Sequence, residues 1–174
     1  MGSKRSIGII IGIVLTLIAI LGVLMYFFFF SSNSYNNGTP LRNPIEGLSD
    51  EQAVELFDES FVKYLLVNIG AGELRKNPLT GDTPKIELYV GDKIYSAEII
   101  KGRVNVYVGE IEGEDIIINT PILEAIKMIR DKNYIKESFS LGKSEIEIVN
   151  SKTNLAIKGY VKIYTSLTGG EFKE

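Results

Sequence analysis

The chain has 174 residues, 45% of them hydrophobic, and a formal net charge of −3 with no Cys, His or Trp. Without Cys there is no disulfide framework, thiol nucleophile or thiolate metal site, and without His there is no Ser-His-Asp or Cys-His arrangement. The acidic balance also argues against a nucleic-acid partner, whose backbone calls for clustered Lys and Arg.

In chain order, residues 1–6 read as a short cytoplasmic N-terminus carrying Lys4 and Arg5. Ile7–Phe30 follows, 24 residues without a charge. As a helix it is ~36 Å long, enough to cross a hydrocarbon core of ~30 Å. It exceeds the roughly 7–15 apolar residues of a cleavable leader and ends in Met25, Tyr26 and four Phe, so it reads as an uncleaved signal anchor. Basic residues remain on the cytoplasmic side, which predicts a single-pass cell-membrane protein with its C-terminal domain extracytoplasmic. Gly8 and Gly12 stand at the spacing of a helix-dimer contact and mark a candidate homodimer face. Beyond the span, 17 basic residues face 22 acidic ones, a net charge of −5.

Residues 31–47, rich in Ser, Asn, Gly and Pro, read as a flexible linker, with Asn37 in an Asn-Gly-Thr glycosylation pattern. The domain is expected at 48–168, with 169–174 as a tail. Ser49 and Gln52 form a capping box, and Ala53, Leu56, Phe57, Phe61, Leu65 and Ile69 recur at helical spacing, which predicts one helix over Leu48–Ile69. Pro84–Val90, Lys93–Ile100 and Arg103–Gly109 read as strands joined by the two-residue turns Gly91-Asp92 and Lys101-Gly102. In that register Leu88 faces Tyr95, Ile86 faces Ala97, Ala97 faces Val106, Ile99 faces Val104 and Tyr95 faces Val108, all on one side of the sheet. Asp115–Asn119 reads as a fourth strand, and Thr120 with Pro121 as the start of a second helix reaching about Asp131. Tyr134–Leu141 has room for one further helical turn. Lys143–Val149 alternates as a fifth strand, while Leu155–Leu167 fits either period. The fold class is therefore α+β, a mostly antiparallel sheet of about five strands covered on one face by helices.

Asp115-Ile116-Ile117-Ile118, Leu141-Gly142-Lys143 with Ile146 and Ile148, and Leu155-Ala156-Ile157-Lys158, together with the upstream meander, resemble the sterol carrier protein-2 domain over about residues 48–168. The chain departs from that family at Glu114, at Asn150–Thr153 and at Gly159. The resemblance implies a lipid-carrying sandwich with an apolar tunnel, and hence an apolar ligand held without a cofactor, metal or catalytic residue. The lining would come from Phe57, Phe61, Leu65, Tyr95, Ala97, Val106, Ile126 and Ile129. The same residues would also make a dry core, and a non-enzymatic structural or protein-interaction module of a cell-surface assembly is the rival reading. Glu110, Glu112, Glu114 and Asp115 read as a solvated acidic loop, and Gly70-Ala71-Gly72 lacks the remainder of a phosphate-binding motif.

Overall fold

Residues 16–21, 41–170 and 172 are described in the computed structural model. The chain divides into two units, Met1–Ser34 and Tyr35–Glu174. In the first, residues 16–21 are helical and Leu17, Ile18, Ile20 and Leu21 are more than half exposed. The remainder of the expected span, Gly8, Gly12 and Asn37 lie outside the described residues. Among the described residues no helix is long and apolar enough to cross a membrane.

The hairpins of the second unit form as their turns dictate. Strands β1 (Lys85–Val90), β2 (Lys93–Ile100) and β3 (Arg103–Val108) make an antiparallel meander. Its pairs include Leu88 with Tyr95, Ile86 with Ala97, Ala97 with Val106 and Tyr95 with Val108. Lys101 (φ 51°) and Gly102 (φ 76°) both take left-handed backbone, as a type I′ hairpin turn requires, whereas at Gly91-Asp92 only Gly91 (φ 60°) does. Strand β4 (Ile116–Thr120) lies beside β1 and parallel to it, and β5 (Glu145–Ile148) pairs antiparallel with β4. The sheet order is β3-β2-β1-β4-β5, so the central pairing of an otherwise antiparallel sheet is parallel. Residues 109–115 carry the chain from the end of β3 past β2 and β1 to the start of β4, which leaves β4 parallel to β1.

The helices differ from the expected ones in several places. Leu48–Ile69 is two helices, α1 (Asp50–Glu55) and α2 (Glu59–Asn68). The chain breaks because Asp58 turns extended and accepts from the Ser60 amide, beginning a new helix. Helix α3 (Ile122–Arg130) has Pro121 rather than Thr120 at its cap, with no side-chain cap bond. The Thr120 side chain is the buried end of β4, and its hydroxyl lies 2.8 Å from that of Ser144. The single turn expected over Tyr134–Leu141 is a nine-residue helix, α4 (Lys132–Ser140), capped by Asp131. The ambiguous C-terminal stretch resolves as α5 (Lys152–Lys158) and α6 (Tyr160–Thr168), separated by Gly159 at φ 96°. Gly159 thus ends one helix and starts another.

The core lies between the helices and the face bearing Ile86, Leu88, Ala97 and Ile99. Ile45, at the end of the expected linker, is 1% exposed and belongs to this core, and Phe172 of the expected tail packs edge-on against Tyr164. The opposite face is partly covered by the 109–115 connection, where the Ile111 amide donates to buried Glu87.

Candidate functional site

Seven of the eight residues expected to line a lipid site are buried in the same core, and Val106 packs half-buried against it. Helix α2 brings Phe61 and Leu65 to the sheet, and the turn before it brings Phe57. The Phe57 ring stands 5.0 Å from that of Phe61 and 6.1 Å from that of Tyr95. The Tyr95 hydroxyl donates to the Phe57 carbonyl at 3.3 Å, and burial is the leading cause that raises its pKa. Ala97 pairs with Val106 across β2 and β3, and Ile126 and Ile129 come in from α3. Together these side chains form one continuous part of the core.

Empty space remains a few residues away. An all-apolar void of about 10 Å³ is lined by Leu65 and Ile69 of α2, Leu88 of β1, Ile118 of β4, Met128 of α3 and Phe139 of α4. Only Leu65 belongs to both sets. A drug-sized ligand needs roughly 300–1,000 Å³, so the void as it stands admits no lipid chain. Two of its walls can yield. Met128 is unbranched and repacks at low cost, and Phe139 is half-buried on a helix that packs on α3 and α6.

Two polar clusters adjoin this interior. In the first, the hydroxyls of Thr120, Ser144 and Ser138 form a buried chain with steps of 2.8 and 2.9 Å, which reaches a Glu124 oxygen at 3.3 Å. Tyr134 donates to the same oxygen at 2.7 Å, and Lys127 holds the other at 2.8 Å. The Lys127 hydrogen bond is the leading reason that the Glu124 carboxyl lies below its ordinary pKa. Lys143 donates to the Tyr134 hydroxyl at 2.9 Å, which holds its ammonium pKa up. A shallow groove of about 380 Å³ beside this cluster is lined by Tyr89, Asp92, Asn119, Thr120, Lys143 and Glu145 among others.

The second cluster is centred on Asp115, which leaves the acidic loop and is fully buried. Lys158, 2% exposed, donates to both its carboxylate oxygens at 2.8 and 2.9 Å and to the Thr83 carbonyl at 3.1 Å. The Lys85 amide, the Asn150 amide group and the Tyr160 hydroxyl complete the shell at 2.9, 2.9 and 3.0 Å. Burial, ahead of the Asp115 charge, drives the Tyr160 phenol far above its ordinary pKa. Every ammonium hydrogen of Lys158 is engaged and out of reach of solvent, so the group ties together the starts of β1 and β4 and the corner between α5 and α6. The two partners stand in Asp115-Ile116-Ile117-Ile118 and in Leu155-Ala156-Ile157-Lys158, both singled out above. A lone Asp and a lone Lys bordering apolar runs were the available signal, but 43 residues separate them. Among the described residues no three His, Cys, Asp or Glu side chains gather as a metal site.

No protein-family model matches the chain, and no curated protein matches it. Among solved structures it is similar to palmitated SCP2L2 from Aedes aegypti, with 14% identity and a TM-score of 0.39, over 61% of this chain and 93% of that one. It is similar to sterol carrier protein 2 from Yarrowia lipolytica in its apo form, with 14% identity and a TM-score of 0.32, over 65% and 83% of the two chains. It is also similar to the sec-alkylsulfatase Pisa1 from Pseudomonas sp., with 13% identity and a TM-score of 0.41, over 79% of this chain but 20% of that one.

Proposed function

We propose that this protein is a membrane-anchored, extracytoplasmic domain that holds an apolar ligand, such as a lipid acyl chain, without catalysing a reaction on it. The observation that carries this reading is the void enclosed by Leu65, Ile69, Leu88, Ile118, Met128 and Phe139, with no polar atom in its lining. Apolar walls exclude water, and a chain entering them gains dispersion contacts that an empty space lacks. Entry requires Phe139 to swing outward and Met128 to refold along the ligand. Such opening is a minor state that a ligand makes dominant by binding it alone. The apolar run Ile7–Phe30 would keep the domain beside its source of ligand.

The packing of Phe57, Phe61, Tyr95, Ala97 and Val106 into one core supports the second reading, an interaction module whose interior is structural. Titrating an acyl chain bearing a polarity-sensitive fluorophore into residues 35–174 separates the two. The carrier reading expects saturable uptake that increases several-fold in Phe139→Ala, which enlarges the void, and falls in Phe139→Trp. No uptake by either the parent or Phe139→Ala discards the carrier and leaves the interaction module.

A further inference from the structure

The sheet register builds a second feature on the face away from the helices. Tyr89 of β1 pairs with Asn119 of β4, and Asn119 pairs with Glu145 of β5, so the three stand in one row across neighbouring strands. Side chains alternate along a strand, and Leu88, Ile118 and Thr120 beside the row are buried, which leaves the row on the opposite, wetter face. Neighbouring strands lie about 4.8 Å apart, so the row spans roughly 10 Å. Asp92 of the β1–β2 turn and Lys143 of the turn before β5 join it as walls of the groove of about 380 Å³. The row is also held from behind. Thr120 follows Asn119, Ser144 stands between Lys143 and Glu145, and their buried hydroxyls meet at 2.8 Å. Each inward hydroxyl fixes its outward neighbours, so the groove is organised before a ligand arrives.

Most of the groove's hydrogen-bonding capacity is unspent. Among the described residues neither Asp92 nor Glu145 is in a salt bridge, and the Asn119 side chain makes no hydrogen bond. Lys143 gives one of its three ammonium hydrogens to Tyr134. Two carboxylates against one ammonium disfavour a phosphate or carboxylate ligand. A simple cation would suit the carboxylates but leave the Asn119 NH2 and the Lys143 ammonium without acceptors. A hydroxyl both donates and accepts, so a ligand bearing several of them matches the whole set. Tyr89 adds a flat apolar surface for the C–H side of a sugar ring. We propose that this groove binds a neutral, hydroxyl-rich ligand of the saccharide class, stacked on Tyr89 and hydrogen-bonded by Asn119, Asp92, Glu145 and Lys143. A free sugar and the glycosyl headgroup of a lipid present the same chemistry. The site is separate from the apolar void, and neither depends on the other.

The test uses the full chain in phosphatidylcholine nanodiscs, with glucose and galactose titrated and saturation-transfer NMR as the readout. The expected result is transfer to the ring protons of at least one sugar, reduced several-fold in Tyr89→Ala and in Asn119→Ala. Asn119 is exposed, so its truncation leaves the core untouched. Glu147→Gln, on the same face of β5 but outside the groove, should leave transfer unchanged. The 6-phosphate of the bound sugar should bind several-fold more weakly at low salt. Replacing part of the phosphatidylcholine by digalactosyl diacylglycerol separates the sources: competition with the free sugar assigns a lipid headgroup, and undiminished transfer assigns a free saccharide. No transfer to either sugar overturns the site, as does transfer that survives both Tyr89→Ala and Asn119→Ala, or equal transfer to the phosphorylated sugar.

Discussion

The most consequential single contact is Lys158 to Asp115. Both groups are withdrawn from water, and their mutual attraction together with the four further polar contacts around them offsets a desolvation cost of several kcal/mol per ion. Replacing one partner leaves the other as an uncompensated buried charge. Lys158→Met is expected to lower unfolding stability by about 3–5 kcal/mol in urea titrations. Adding Asp115→Asn should make the total loss clearly smaller than the sum of the two single losses, because the neutral amide no longer demands a cation. Additive losses would mean that the two side chains act independently. This pair was legible only as residue types: an Asp before three Ile and a Lys after Leu-Ala-Ile stand out locally, but nothing local says that they meet.

Among the elements, the meander was readable in register because period-2 patterning and two-residue turns leave little freedom. Lys101 occupies a left-handed position without being Gly, Asn or Asp, and Gly102 packs closely enough that a Cβ would lie 3.2 Å from the Gly72 carbonyl oxygen. Opposite effects should follow from substitutions at the two turn positions. Lys101→Asn is expected to stabilise the domain by on the order of a few tenths of a kcal/mol, since Asn tolerates this backbone. Gly102→Ala is expected to cost about 1–3 kcal/mol through strain and the approach of the Gly72 backbone. Thermal melts of both variants check the signs, and two losses of equal size would argue against this turn geometry. The break between α1 and α2 was harder to see, because Leu56 and Phe57 continue the helical stripe across it. Only the Asp58 side chain, capping the Ser60 amide, shows that the stripe is carried by two helices. Lys132–Ser140 was similarly underestimated: Tyr134, Ile135 and Phe139 are its only apolar side chains, and it is held by α3 and α6 rather than by a strong pattern of its own.

For the whole molecule, pH exposes how the buried phenol is held. Tyr160 keeps its proton in the folded domain well above its ordinary pKa, first through burial and then through the Asp115 charge. A raised pKa means that its contribution is intact below pH ~10 and is lost as pH climbs beyond it, when the unfolded chain ionises first. Stability should fall by up to ~1.4 kcal/mol per pH unit above ~10 on account of this one group. Tyr160→Phe should be less stable at neutral pH yet show a shallower alkaline decline, which chemical denaturation at a series of pH values would measure. An unchanged alkaline slope would place the phenol in water. The order of residues along the chain was enough to specify the apolar run of Ile7–Phe30, the three-stranded meander with its register and the α+β class, but not the whole core, since Ile45 of the expected linker is buried and Leu56 of the expected helical stripe is exposed. Each of these depends on periodicity, turn chemistry or composition over a few neighbouring positions. Packing between distant segments settled that β4 inserts beside β1 in parallel, that Asp115 finds Lys158, and that a small apolar void lies among Leu65, Ile69, Leu88, Ile118, Met128 and Phe139. Those outcomes depend on how separate parts of the chain fill a common volume, and close packing is a property of the assembled molecule that no local pattern encodes.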